Sequence, residues 1–274
     1  MTDQTHDPSA AAARRDERAA FLALALQMAD AADVITMAHF RSRTLEVLTK
    51  ADRTEVTIAD RETEHKLRAL IATSHPEHGV LGEEHGEHLA EARSRWILDP
   101  IDGTSNYVRG VPLWATLLAL ETNGTLEVGV VSAPALGARW WASRGGGAFA
   151  NGAAIHVSGI AKLSEAFLSY SEGPWVAKGW RHAIDELRHR CGRERAFGDF
   201  WQHMLVAEGA IDVAAEAIVN LWDLAALQII VEEAGGVFTD LDGIAHPGGG
   251  SALATNGLLH HEVLALFTES PTSP

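Results

Sequence analysis

The sequence predicts an α/β protein in two parts: helices on a mostly antiparallel sheet, then a stretch of α/β alternation. Three observations predict it. Phe21 to Phe40 repeats apolar residues at helical spacing. Trp114 to Ser143 reads as successive β-rich runs broken by turn residues such as Asn123-Gly124. From Ala166 onward, short apolar runs alternate with helical ones. A chain of 274 residues can bury a substantial core, as one large domain or two small ones.

The elements follow in order. Met1 to Glu17 is polar and alanine-rich, lacks the apolar centre of a signal peptide, and reads as a frayed tail, so residues 1–18 are set apart as disordered. After the first helix, Leu45 to Leu48 is a short strand and Lys50 to Thr54 a polar loop. Asp60 leads into a second helix that runs to about Thr73, where His75-Pro76 stops it. Val80-Leu81 is a brief strand before Gly82-Glu83-Glu84, and Trp96-Ile97-Leu98 a buried strand ending at Asp99. Strands follow over 114–121, 126–132 and 139–143, then a hairpin turning at Asn151-Gly152, a pair that suits a primed turn. A boundary near Gly159 separates residues 19–159 from residues 160–270. In the second half, Ala166 to Ser171 is a strand, Val176 to Arg190 a helix, Arg195 to Phe197 a strand and Asp199 to Glu208 a helix. Ile211 to Ala217 is strand-like, Trp222 to Ala234 a strongly apolar helix closed by Gly235-Gly236. Strands at 237–239 and 252–254 and a helix over 258–267 complete the chain.

A net charge of −15, with no offsetting basic stripe, argues against nucleic acid or an anionic membrane as partner. No apolar run is expected to reach the roughly 18 residues of a membrane span. Cys191 is the single cysteine, so no internal disulfide forms and a reducing cytoplasm fits.

The chemistry concentrates in Trp96 to Asn106. Asp99 and Asp102 flank Pro100-Ile101 at a strand end, and two carboxylates so close need cations between them. All-oxygen ligands suit a hard ion such as Mg2+. Gly103-Thr104-Ser105 then offers N–H groups and hydroxyls at a helix start, a natural phosphate site. Glu83, Asp60 and Asp223 stand at other element ends, although Asp60 and Asp223 also read as ordinary helix N-caps and Glu83 as plain surface. His75, His78, His85 and His88 cluster loosely without a His-Glu-x-x-His pattern and read as a surface loop rather than a zinc site. Trp140-Trp141 reads as sheet packing or a dimer interface.

These motifs carry a resemblance. Val56-Thr-Ile-Ala-Asp60, Gly82-Glu83-Glu84, Trp96-Ile-Leu-Asp-Pro-Ile-Asp-Gly-Thr-Ser-Asn-Tyr107, Trp222-Asp-Leu-Ala-Ala226 and Glu232-Glu-Ala-Gly-Gly236 stand in the order of the inositol-monophosphatase superfamily of Mg2+-dependent, lithium-sensitive phosphatases. The resemblance implies a layered αβαβα sandwich of the fructose-bisphosphatase/inositol-monophosphatase type, with metal and phosphate sites in the first half and specificity in the second. It implies a homodimer and two to three Mg2+ ions. Glu83, Asp99 and the carbonyl of Ile101 would hold the first ion; Asp99, Asp102 and Asp223 the second; a third would lean on Glu83. Gly103, Thr104 and Ser105 would cradle phosphate, Ser105 replacing the family's second threonine. Thr104, hydrogen-bonded to Asp60, would orient the attacking water, with Glu83 assisting. Lys50 either adds charge near the phosphate or is a surface lysine.

Asn106-Tyr-Val-Arg-Gly-Val-Pro112, Arg139-Trp-Trp-Ala142, Gly198-Asp-Phe200 and Val206-Ala-Glu-Gly-Ala-Ile-Asp212 are similar to the bacterial histidinol-phosphate phosphatase branch. Glu216, seven residues before Asp223, matches the superfamily's substrate-binding acid, and Asp199 adds a second. Two acids favour a cationic leaving group such as histidinol, with its ammonium and titrating imidazole. Trp201 either stacks on that imidazole or packs in the core. Hydrolysis of L-histidinol phosphate is the expectation. A phosphatase of inositol phosphate or another small sugar phosphate with the same metal site is the alternative, and a catalytically dead scaffold the rival of another class.

Overall fold

The computed structural model describes residues 8–49, 55–171 and 173–268. Helix α1 (Pro8–His39) is followed by strands β1 (Val47–Thr49) and β2 (Glu55–Thr57), helix α2 (Ile58–Ser74) and strands β3 (Gly79–Gly82), β4 (Gly86–His88) and β5 (Ser94–Asp102). A short helix α3 (Thr104–Val108) leads to β6 (Ala115–Thr122), β7 (Thr125–Ala133), β8 (Ala138–Ser143), β9 (Gly147–Ala150) and β10 (Ala153–Ile155). The second part runs β11 (Phe167–Tyr170), α4 (Arg181–Arg190), β12 (Arg193–Arg195), α5 (Asp199–Ala207), β13 (Val213–Glu216), α6 (Leu221–Glu233), β14 (Val237–Thr239), β15 (Ala252–Thr255) and α7 (His260–Thr268).

Strand alternation builds the layers. Among the described residues, one sheet has the order β10-β9-β8-β7-β6-β5-β3-β4 and is antiparallel except where β3 meets β5. On β5 and β6, Trp96, Leu98, Leu118 and Leu120 face one way, onto Phe21, Leu24, Ala25 and Met28 of α1 and Leu67 and Ile71 of α2. Ile97, Leu117 and Ala119 face the other way, onto Phe200 and Met204 of α5 and Leu224 to Val231 of α6. The second sheet, β12-β11-β13-β15-β14, closes that inner layer with Ala214, Phe238 and Ala254. Its far face packs Leu168, Val213 and Leu253 against Ile184 and Leu187 of α4 and Val263 and Phe267 of α7. The result is the expected αβαβα stack. Helix α6 is buried from Leu224 to Val231 because a sheet covers each side of it. Gly129 on β7 permits that closeness: a Cβ there would stand 2.4 Å from the Ile229 side chain and 2.8 Å from the Ala226 carbonyl.

Several expectations change. The tail is helical from Pro8, so residues 8–18 belong to α1; its alanines favour helix, and the Arg18 guanidinium bonds the Arg144 carbonyl and pairs with Glu127. Residues 1–7 lie outside the described residues, as does the loop of Lys50 to Thr54. Ala13–His39 is, by length and a mean hydropathy of 1.5, apolar enough to cross a membrane. Its inner face is spent on the sheet. The helix expected from Val176 starts at Arg181, after turns that use positive φ at Gly179. Asn151-Gly152 and Asn123-Gly124 both show positive φ at each residue, as primed hairpin turns require.

Most consequential, β5 does not end at Asp99. It continues through Pro100 to Asp102, with a register shift against β6 between Asp99, opposite Leu117, and Asp102, opposite Ala115. Pro100 cannot donate to the ladder, which places the irregularity there. In a regular strand, residues three apart face opposite sides; one extra residue cancels that alternation.

Candidate active site

The bulge therefore aims Asp99 and Asp102 at one point. Asp223 joins them from the start of α6, and one carboxylate oxygen from each of the three lies within 4.8 Å of the others. They line a cavity of about 620 Å3 together with Glu83, Ile101, Gly103, Thr104, Ser105 and Asp199. The structure thus brings together acids from β5, α5, α6 and the turn after β3. A smaller cavity of about 160 Å3 continues behind Asp102, Asp199 and Asp223 and is lined by Ser171 and Glu216.

Local rules hold each group. Asp99 Oδ1 accepts the Ile101 N–H at 3.0 Å, and Asp102 Oδ2 accepts the Phe200 N–H at 2.8 Å, tying the strand end to the start of α5. Asp60 and Asp223 are not N-caps, as one reading of the sequence had it. Thr57 and Asn220 are the caps, and the two aspartates stand at the third helical position as the returning half of capping boxes. Asp60 Oδ2 accepts the Thr57 N–H at 2.8 Å, and Asp223 Oδ2 accepts the Asn220 N–H at 2.6 Å. Glu83 is placed by its own N–H, which reaches the Leu98 carbonyl of β5 at 3.3 Å.

Ionising so many acids together is costly. Burial, and then the charges of Glu83, Asp102, Asp223 and Asp60, push Asp99 well above the usual carboxylate range. Burial and then Asp199 and Asp223 do the same to Asp102. Burial dominates at Asp60 and Asp223, each raised from 3.8 to about 7. Asp60 Oδ1 is buried without a hydrogen-bond partner. An all-oxygen donor set of this charge, with an orphaned carboxylate oxygen below it, fits a hard divalent cation.

A stability test follows. A carboxyl raised in the folded state stabilises the fold while protonated, and that contribution is lost as pH rises through its folded value. For Asp60 and Asp223 the loss accrues as pH rises from the ordinary 3.8 to about 7 and is complete just above it. His78 and His260, held below the ordinary 6.5, act in the opposite sense below about pH 6.5 and are neutral in both states above it. The raised carboxyls outnumber these two histidines, so in EDTA the thermal midpoint should fall between about pH 5 and 7.5, and excess Mg2+ should raise it most at the alkaline end. A metal-free midpoint that is flat or rising over this interval would contradict the crowded-acid site.

Some expected partners differ. The Thr104 hydroxyl does not bond Asp60; it donates to the Ile101 carbonyl at 2.9 Å, three residues back at the end of β5. Ser105 donates to Glu55 at 2.9 Å, a cavity-lining acid that the sequence reading missed. Nothing local marks Glu55, because a β2 residue meets α3 only through the fold. Arg109, also missed, lines the cavity and lies four residues after Ser105, a spacing that puts both on one helix face. Trp201 lines neither cavity; it is half-buried and sets its ring edge-on to Phe197 at 5.0 Å. Trp140 is buried and Trp141 stacks on Phe149, so both serve sheet packing. Lys50 lies outside the described residues. His75 and His78 stack at 4.5 Å, and His75 Nδ1 and His78 Nε2 lie 3.5 and 3.6 Å from the same Glu77 oxygen, so these three form a compact cluster. His85 turns instead to Glu64.

Asp199 opens α5 with φ of 48°, a left-handed backbone that aspartate tolerates better than most residues. Its Oδ2 accepts the Asn106 amide at 3.1 Å. Burial and then the Glu216 charge raise it from 3.8 to about 6. Glu216, at the end of β13, accepts from the Gln202 amide at 2.8 Å and from the Ser171 hydroxyl, with His203 Nε2 at 3.4 Å.

Known proteins share this architecture. The chain is 53% identical to a histidinol-phosphatase of Mycobacterium tuberculosis over 249 residues, covering 89% of this chain and 96% of the relative. It is 46% identical to the histidinol-phosphatase of Streptomyces coelicolor, covering 90% and 97%. The solved structure of the Thermotoga maritima IMPase superimposes with a TM-score of 0.82 at 33% identity, over 90% of this chain and 96% of that one. The sequence pattern of the inositol monophosphatase family matches residues 16–272. The chain belongs to the inositol monophosphatase family.

Proposed function

We propose that this chain is a Mg2+-dependent phosphomonoesterase that hydrolyses L-histidinol phosphate to L-histidinol and phosphate. A homodimer, a cytoplasmic setting and lithium sensitivity belong to the same reading. The observation that carries it is the second pair of acids: Asp199 and Glu216 line the small cavity directly behind Asp102 and Asp223. That placement gives a cationic alcohol a negatively charged seat next to the acid cluster. The extent of identity to histidinol-phosphatases over nearly the whole chain supports the same substrate.

Glu83, Asp99, the Ile101 carbonyl, Asp102 and Asp223 would hold two to three ions. Bound there, Mg2+ would offset the roughly two negative charges of a phosphate monoester and make water a better nucleophile. The remaining steps fall to the chain. Backbone N–H groups at Gly103 to Ser105 cradle the phosphoryl oxygens. The Thr104 hydroxyl, released from the Ile101 carbonyl, orients the attacking water. Asp60, raised to about 7, takes the proton through Thr104 at its unpartnered Oδ1, and Glu83 assists. As the water oxygen bonds to phosphorus and the ester P–O bond breaks, the leaving oxygen takes a proton from water, the proton on Asp60 passes to solvent, and Asp199 and Glu216 hold the departing ammonium and imidazole.

Phosphate release from histidinol phosphate, inositol 1-phosphate and p-nitrophenyl phosphate, with EDTA and with Mg2+, tests the reading. Histidinol phosphate should turn over with the highest kcat/KM, and EDTA should stop all three. Preference for inositol 1-phosphate would overturn the substrate, release in EDTA would overturn the metal requirement, and no release from any ester would indicate a scaffold.

A further inference from the structure

Helix α2 carries two buried carboxylates four residues apart, Asp60 and Glu64, both fully buried. Asp60 belongs to the site already described. Glu64 does not line the cavity. A buried carboxylate survives only with compensating donors, and those of Glu64 identify its task. Its Oε2 accepts the Glu84 N–H at 2.7 Å, and its Oε1 accepts the His85 N–H at 3.2 Å and the Arg68 guanidinium at 2.7 Å. Arg68 in turn donates to the Gly86 carbonyl. Gly82 closes the other side: a Cβ there would lie 2.2 Å from Glu64 Oε1, so only glycine lets the turn approach this close. The carboxylate is thus clasped by Gly82, Glu84 and His85, with Arg68 extending the clasp to Gly86. Glu83 sits in the middle of that segment, its own N–H fixed to Leu98.

We infer that Glu64 is a positioning residue for the metal site: it fastens the turn of residues 82–86 to α2 and so fixes where Glu83 presents its carboxylate. The inference rests on Glu83 holding an ion, as proposed above. Asp60 and Glu64, one helical turn apart, couple two borders of the site to one rigid helix. Nothing in Glu64 touches substrate or ion, so its loss shows in ion affinity before it shows in chemistry. Supporting groups behind metal ligands commonly set affinity by ten- to hundredfold.

Glu64→Gln keeps the size of the side chain but offers an N–H2 group to at least one of the N–H donors that the carboxylate now accepts. Mn2+ binding, followed by electron paramagnetic resonance of the free ion, should weaken roughly ten- to hundredfold. The Mg2+ concentration for half-maximal activity should rise in parallel, while kcat at saturating Mg2+ stays within a few-fold of the parent. Glu83→Gln is the companion measurement. If it too leaves Mn2+ affinity unchanged, the ligand assignment of Glu83 fails. If Glu83→Gln weakens binding and a folded Glu64→Gln does not, the positioning role alone is overturned. Should Glu64→Gln not fold, Arg68→Ala carries the test: it loosens the clasp while leaving the carboxylate, a several-fold loss of Mn2+ affinity is expected, and parental affinity overturns the inference.

Discussion

Replacing Asp99 with Asn should abolish phosphate release and, in the same protein, stabilise the metal-free fold. The two effects have one cause. Asp99 is buried among Glu83, Asp102, Asp223 and Asp60, which together with burial hold its carboxyl well above the usual range. Asn removes a charge that the metal-free protein accommodates poorly, and its Oδ1 still accepts the Ile101 N–H. The bulge of β5 is therefore kept. A gain of one or two kcal/mol in a chain of this size would raise the thermal midpoint by roughly 2–8 °C above pH 7. The same substitution removes the acid proposed to bridge two ions. With several kcal/mol of charge stabilisation at stake, and a factor of ten per 1.4 kcal/mol, turnover should fall roughly a thousandfold or more. Circular dichroism melts in EDTA and phosphate release in excess Mg2+ read the two sides. Near-parental turnover would remove the bridging role, and a strongly lowered midpoint would mean that Asp99 is structural.

Asp199→Asn and Glu216→Gln should each cost about a hundredfold in kcat/KM for histidinol phosphate and far less for inositol 1-phosphate. The pairing of a partly buried acid with a substrate cation is worth about 2–5 kcal/mol when one side is removed. A neutral polyol loses only a hydrogen-bond partner, about 1 kcal/mol. Both swaps isolate charge from shape. Asn tolerates the left-handed backbone at position 199, and it can still accept from the Asn106 amide. In the Glu216→Gln protein the new side-chain carbonyl can still accept from Gln202 and Ser171. Because the Glu216 charge raises the pKa of Asp199, the two effects should not add. Equal losses on both substrates would take them out of substrate recognition.

The capping boxes show what a linear reading can and cannot extract. Thr57-x-x-Asp60 and Asn220-x-x-Asp223 stand in the sequence as cap and third-position acid, but reading the aspartates themselves as caps sets the start of α2 at Asp60 rather than at Ile58. That these same acids sit close to the Asp99/Asp102 pair was carried by resemblance, since a capping box needs no metal. Pro100, which cannot donate to the ladder, reads as lying past the end of the strand. Its consequence, the extra residue that turns Asp99 and Asp102 to the same side, appears only in the pairing of β5 with β6.

By itself the sequence determined most element types, the primed turns, the layered fold through its family motifs, and the acids that gather at the larger cavity. Element types and turns are set by neighbours within a few residues, where covalent geometry and period dominate; the layered fold and the gathering of the acids were carried by resemblance. Tertiary structure decided that Thr104 bonds Ile101 rather than Asp60, that Trp201 packs on Phe197 outside both cavities, that Ser105 meets Glu55, and that Glu64 anchors the Glu83 turn. These contacts join segments whose separation is fixed by how layers stack, or choose between local partners by which oxygen the packing leaves within reach. Hydrogen-bond energies fall off within an ångström or so, and no local pattern encodes distances to that tolerance.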